Sequence, residues 1–423
     1  MLCRHRPCCA RLLHDWARGL NHRILGLTVR NFRTLTDTKL PLGPLTVMVG
    51  PNAAGKSNVL HALEFLGDVA RQGIEPALDA RGGFDVLAFR GGRRPVSRIS
   101  IGLDGVWSEC ASPEAPDRYE LSISRPRLPG SSRARYRMFR QERFTQHPAE
   151  GFETTAQLTG NSLTLSSALE ADNQREALGT VGRMTSGLHR QTAAFPGPGP
   201  SATAIDTLAR HLKQIRVFDP DVRAARQPWG ISETGRYLAN DASNLADFLK
   251  GLKDHGDAWE MLLEDVRTVV PQISDIHLVD VPGEAGRIAV ELEEAGLRGR
   301  TRLTEASWGT VRILCLLAIF HDPEPPLLTC IEEIDHGIHP HALSLLVGRL
   351  REASTRSQFL VTTHSLVVLN DLEPEELVVC ERRNSGASVI PARRPKDIQR
   401  IIEKSEYEPM GELWYSGALG GGL

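Results

Sequence analysis

No stretch of this sequence is apolar for long enough to cross a bilayer. The longest such run, Ile313–Phe320, falls far short of the roughly 20 residues a membrane helix needs. Seven cysteines among 423 residues do not make a disulfide framework. Cys315, Cys330 and Cys380 lie in apolar stretches and read as reduced core residues. A formal net charge of −2 rules out a polycation, so any nucleic-acid contact must come from a local patch. No internal repeat is visible, and no long heptad pattern that would build a coiled-coil arm. Arg4, Arg6 and Arg11 interrupt any apolar leader at the start. Cys3, Cys8 and Cys9 crowd there with His5 and His14, but their spacing matches no common zinc pattern. Residues 1–22 therefore read as a loose extension, and the cytosol is the expected compartment.

The remaining composition, 41% hydrophobic and 24% charged, is that of an ordinary folded protein with room for two or three lobes. Its most informative stretch is Gly50-Pro51-Asn52-Ala53-Ala54-Gly55-Lys56-Ser57-Asn58, which fits G-x-x-x-x-G-K-S. Leu45–Val49 before it reads as a buried strand. After it, Val59, Leu63, Leu66 and Val69 recur on one face of a helix. A glycine turn between strand and helix would satisfy the bare pattern. The full strand–loop–helix context points to a phosphate cradle, in which backbone N–H groups and the helix N-terminus face the anion. Lys56 would reach the terminal phosphates and the Ser57 hydroxyl would ligate Mg²⁺, making ATP and Mg²⁺ the expected cofactors.

Further along, alternation predicts strands at Ile24–Arg30, Val96–Leu103 and Arg118–Ser124. Residues 150–190 are polar and suggest helical pieces. A helix is expected over Ala204–Ile215 and another over Asp241–Lys253. Strands follow at Ile276–Val281, Arg287–Leu292, Leu327–Ile331, Phe359–Thr362 and Leu377–Cys380, with helices at Trp308–Phe320 and Pro340–Arg351. Strands alternating with helices imply a sheet with parallel strands.

Leu327–Ile331 delivers Glu332 and Glu333 at its C-terminal edge, where open α/β sheets bind ligands. The first acid suits Mg²⁺ and the second suits the attacking water. His364 follows the strand Phe359–Thr362 and can sense a γ-phosphate. Ser307 and Gly309 stand at the start of the buried helix; Ser307 alone would also serve as an ordinary N-cap. Arg133, Arg135 and Arg137 would share one face of a strand and follow a phosphate backbone, or form a solvated hairpin face.

Taken in this order, the segments resemble AAA-type ABC ATPases, the broad group around RecF, the SMC proteins and the overcoming-lysogenization-defect nucleases. Glu332-Glu333-Ile-Asp335-His336-Gly337-Ile-His339-Pro340 is similar to the group's E-E-P-E-x-G-L-H-P motif, with Ile334 for proline and Asp335 for glutamate. Thr362-Thr363-His364-Ser365 resembles the switch-histidine loop. Ser307-Trp308-Gly309-Thr310-Val-Arg312 resembles the signature S-D-G-T-L-R, with Trp308 where an acid or small polar residue is usual. Tyr237–Ala246 resembles a D-G-S-N-L-A segment, with Ala242 for glycine. The resemblance covers residues 24–100 and 215–420. Phe84–Arg94, where a Q-loop glutamine is expected, contains none.

The resemblance implies an α/β fold: an ABC-type P-loop NTPase head with a mixed sheet, in two pieces, 23–104 and 214–423, with an inserted α+β lobe at 105–213. It implies a catalytic set of Lys56, Glu333 and His364 and a metal pair of Ser57 and Glu332. Two chains would close around ATP, with Ser307 and Gly309 reaching the partner's nucleotide and Asp335 and His339 in the loop between subunits. With the last similar segment falling close to Leu423, no C-terminal Toprim nuclease domain is expected. The implied role is that of an ATPase sensor or scaffold subunit of bacterial anti-phage defence, acting on a separate nuclease or toxin. The alternatives are a RecF-like DNA-binding ATPase and an assembly protein with structural ATP.

Overall fold

The computed structural model describes residues 23–92, 94–108, 111–126, 137–146, 154–167, 176–180, 182–189, 200–231, 237–406 and 408–420. The N-terminal extension 1–22, with its Cys and His residues, and Arg133 and Arg135 lie outside the described residues. Among those described, no helix is long and apolar enough to cross a membrane.

A parallel five-stranded sheet lies at the centre, ordered Arg216–Phe218, Leu328–Ile331, Gln358–Thr363, Leu45–Val49, Leu377–Val379. Its strands are largely apolar and almost wholly buried because both faces are covered. Alternation divides each strand between two cores. Leu45, Val47, Val49 and Val361 face the side packed by the helices Trp308–Phe320 and Pro340–Ala353. Met48, Leu360, Cys330 and Cys380 face the side packed by the P-loop helix Lys56–Gln72 and the helix Pro200–Gln214. Cys315, Cys330 and Cys380 are buried free thiols, and burial pushes all three up, Cys315 and Cys380 to about 12.

Against the second core lies an antiparallel sheet of eight strands. It runs Thr38–Pro41, Arg23–Arg30, Arg98–Val106, Asp117–Ser124, Phe139–Gln146, Thr154–Thr159, Ser162–Ser167 and Glu176–Thr180. Residues beyond Val106 thus extend the sheet that the first strand begins. Buried Gln358 clamps the two sheets: its Nε2 donates to the carbonyls of Ile24 (2.8 Å) and Gly43 (3.1 Å), and its Oε1 accepts from Ile24 N at 2.7 Å. A smaller antiparallel sheet of Trp229–Gly230, Arg287–Glu294, Ile273–Asp280 and Arg300–Arg302 flanks the first core.

Residues 150–190 correct the expectation of helical pieces, since their described parts are the strands Thr154–Thr159, Ser162–Ser167 and Glu176–Thr180 and the turns over 182–189. Thr159 pairs with Ser162 across the two-residue turn Gly160–Asn161, with Gly160 at φ +57°. The helix expected from Asp241 begins at Leu245; the residues before it form a turn in which Ala242 adopts φ +57°.

Candidate nucleotide site

Three parallel strands end at one edge of the central sheet, and each hands over a loop that carries chemistry. Leu45–Val49 leads into the P-loop, Leu328–Ile331 into Glu332-Glu333, and Gln358–Thr363 into His364. Together they line a cavity of about 250 Å³. Asn52, Ala53, Ala54, Gly55, Lys56, Ser57, Asn58, Glu332, Glu333 and His364 all border it. Gly50 and Pro51 lie just behind, their carbonyls accepting from Lys56 Nζ at 2.8 and 3.2 Å.

The loop's shape follows from its residues. A Cβ on Gly50 would sit 2.3 Å from the carbonyl oxygen of Cys380, so the P-loop strand and its neighbour approach too closely for a side chain. Gly55 has φ +104°, and a Cβ there would meet Ser388 Oγ at 2.2 Å. Lys56 is 7% exposed. Burial lowers its pKa, opposed by the carboxylates of Glu333, Asp335 and Glu332.

The Ser57 hydroxyl donates directly to Glu332 Oε1, joining residues 275 apart in sequence. The acid strand is fixed around them. Glu333 N donates to Thr362 Oγ1 at 2.9 Å, and Ile334 N donates to the Thr362 carbonyl at 3.1 Å. The second bond needs an N–H that proline lacks, which gives Ile334 a structural reason. Glu333 holds φ +46°, a left-handed conformation uncommon outside glycine. Asp335 turns inward, its Oδ1 accepting from Thr363 Oγ1 (2.7 Å) and His364 N (3.3 Å). His364 is pushed down by burial and by the Lys56 charge, against Asp335 and Glu333, which favours its neutral form near neutral pH.

Ser307 and Gly309 do not join this cavity. Ser307 caps the helix Trp308–Phe320, its Oγ accepting from Thr310 N at 3.1 Å. Gly309 and Trp308 pack on Gly337, and the Trp308 ring lies 6.4 Å from that of His336. Buried Arg312 welds this helix to the acid loop: its Nη2 donates to the carbonyls of Glu332 (3.2 Å) and Glu333 (2.8 Å). His339 caps the next helix through Nδ1, which accepts from His341 N at 3.3 Å. Arg137 is exposed, with its guanidinium over the Phe139 ring.

The cavity also takes in Thr362, from the segment that carries His364, and Thr34 and Arg382, which no motif signalled. Thr34 Oγ1 accepts from Asn58 Nδ2 and from Ser388 Oγ, both at 2.7 Å, bracing the P-loop helix from two sides. Thr362 directly precedes the His364 loop and orients Glu333 through its hydroxyl. Arg382 donates to the Ala53 carbonyl at 3.3 Å.

A family profile described as "AAA domain, putative AbiEii toxin, Type IV TA system" matches residues 205–370, and one described as "AAA ATPase domain" matches residues 23–79. Over 44 residues, 10% of this chain, it is 61% identical to an OLD nuclease of Thermus scotoductus, and that stretch spans 8% of the relative's length. Among solved structures, an SMC head bound to the C-winged helix domain of ScpA is similar at a TM-score of 0.51 and 16% identity, over 87% of this chain and 96% of that one. An Smc head with an extended coiled coil, derived from Pyrococcus furiosus and bound to the C-terminal domain of ScpA, gives 0.51 at 14% identity, over 91% and 100%. Fold and site therefore define an ABC-type P-loop head. Residues 23–79 and 205–370 thus match AAA ATPase profiles, and a short stretch is similar to part of an OLD nuclease.

Proposed function

We propose that this chain binds ATP with Mg²⁺ at the P-loop cavity, hydrolyses it and closes as a homodimer around it. The observation that carries the reading is the Ser57–Glu332 hydrogen bond at the floor of a cavity that also holds Lys56, Glu333 and His364. The donor set fits the cofactor. Ser57 and Glu332 offer hard oxygen ligands side by side, the loop offers N–H groups at a helix N-terminus, and Gly50 occupies a place that a Cβ would block.

Bound Mg²⁺·ATP supplies a reactive phosphoanhydride with its charge partly neutralised. The chain's own groups do the rest. Lys56 and the loop amides hold the phosphates, and Ser57 and Glu332 hold the metal. Glu333 orients and deprotonates water, and His364 senses the terminal phosphate. Ser307 and Gly309, turned away from their own cavity, complete the site of a second copy. Closure would move the lobe at 105–213, which continues the sheet of the first strand.

The biological reading is a cytoplasmic sensor or scaffold subunit of bacterial anti-phage defence that controls a separately encoded nuclease or toxin. It draws support from the toxin–antitoxin description of the matching profile and from the partial OLD nuclease match. Glu333→Gln tests the chemistry. The expected outcome is retained ATP affinity, turnover reduced by about 10² or more and accumulation of the dimer in light scattering. Unchanged hydrolysis would remove Glu333 from the role of base.

A further inference from the structure

The outer face of the small antiparallel sheet carries chemistry that the nucleotide cavity does not use. Ile276, Ile288, Val290 and Leu292 belong to the first core. Asp275 and His277 alternate with Ile276, so they share the opposite face of their strand. Glu291 and Glu293 do the same on the neighbouring strand, paired in register with His277 and Asp275. A bulge between Ile273 and Asp275 shifts the ladder by one residue and sets this register. His277 Nε2 lies 3.0 Å from Glu293 Oε2 and 3.7 Å from Asp275 Oδ2. One ligand atom from each of these three residues falls within 4.8 Å of the other two, the single such group of His, Cys, Asp or Glu among the described residues. Asp275 is oriented by the backbone: its Oδ1 accepts from Ile276 N at 2.8 Å, while Oδ2 is the oxygen nearer His277. Glu291 is drawn toward Arg300, 3.8 Å away, and stays outside the group.

An ion pair among these side chains needs a protonated imidazole between the carboxylates. A metal needs a neutral imidazole and ligand atoms one coordination edge apart. With bonds of about 2.0–2.2 Å, the ligands of one ion stand roughly 3–3.5 Å from each other. The observed 3.0 and 3.7 Å lie close to that spacing before any side chain moves. Charge balances as well, since two carboxylates neutralise a divalent cation. The donor set selects the class of ion. Mg²⁺ and Ca²⁺ favour oxygen alone, whereas one imidazole with two carboxylates suits Zn²⁺ and its transition-metal neighbours. All three side chains reach solvent, so an ion can enter the folded chain and water can complete its coordination. We infer that Asp275, His277 and Glu293 form a site for a divalent transition-metal ion of the zinc type, separate from the Ser57–Glu332 pair. An ion there would staple Ile273–Asp280 to Arg287–Glu294, the strand whose other neighbour, Arg300–Arg302, leads to Ser307 and its helix.

The test is equilibrium dialysis of the full chain against micromolar Zn²⁺, with excess Mg²⁺ to fill all-oxygen sites, followed by elemental analysis. The wild type should hold one zinc per chain more than His277→Arg. Arginine keeps a cation against both carboxylates but cannot ligate, so this variant preserves an ion pair and removes only the metal. Zinc taken up elsewhere in the chain is common to both proteins and cancels. Asp275→Asn and Glu293→Gln, near-isosteric changes at solvent-accessible positions, should weaken this zinc at least about tenfold. Should His277→Arg misfold, these two variants decide the matter. Glu260→Gln, at an exposed acid elsewhere, should bind zinc like the wild type. Equal zinc in wild type and His277→Arg, undiminished affinity in both carboxylate variants, or an equal loss in Glu260→Gln would overturn the assignment. A chain that holds this zinc but no Mg²⁺·ATP would support the site and count against the nucleotide reading alone.

Discussion

His364 shows how single groups in this cavity are tuned. Burial and the Lys56 charge hold it below the ordinary histidine value, against the opposing carboxylates of Asp335 and Glu333. The sign of the linkage follows. The unfolded chain takes up the proton first, so stability is lost as pH falls below about 6.5 and the loss ends once the folded-state pKa is passed. His364→Gln removes this term. Relative to wild type, the variant should gain stability in urea titrations between about pH 7.5 and about pH 5.5. A difference that does not change with pH would show that His364 is not held in its neutral form. Ala242 is a second tuned position. The related segment has glycine there, and this chain keeps the same left-handed turn with an alanine, fully buried at φ +57°.

At the scale of elements, what the sequence showed depended on how strong a pattern each element needs. The helix Trp308–Phe320 was legible to the residue because Ser307 caps it and an unbroken apolar run follows. The strands of the central sheet were legible because burial on both faces demands continuous apolar residues. Thr154–Thr159 and Ser162–Ser167 were not, since alternating Thr, Ser and Leu at the far end of a sheet carries little contrast. The Gly160–Asn161 pair between them was the available signal. The motif residues of the site were readable, but Thr34 and Arg382 were not: they reach the cavity through tertiary packing, and no local pattern marks them. Ser307 has two duties at this scale, as cap and as proposed contact to a second copy. Ser307→Ala should cost about 1 kcal/mol of stability, leave nucleotide affinity of the monomer unchanged and weaken ATP-driven dimerisation. Light scattering that shows the dimer undiminished would confine Ser307 to capping.

For the whole molecule, two cores share one parallel sheet, and the polar loops collect at that sheet's edge. Arg312 joins the signature helix to the acid pair, and Thr34 with Ser388 joins the first strand's loop and the C-terminal segment to the P-loop. Residues from positions 34 to 382 thus surround one small cavity. That convergence is the central claim, and calorimetric titration of the full chain with Mg²⁺·ATP tests it most directly. The account predicts one nucleotide bound per chain and loss of binding in Lys56→Ala. An absence of heat in the wild type, or equal affinity in Lys56→Ala, would contradict it.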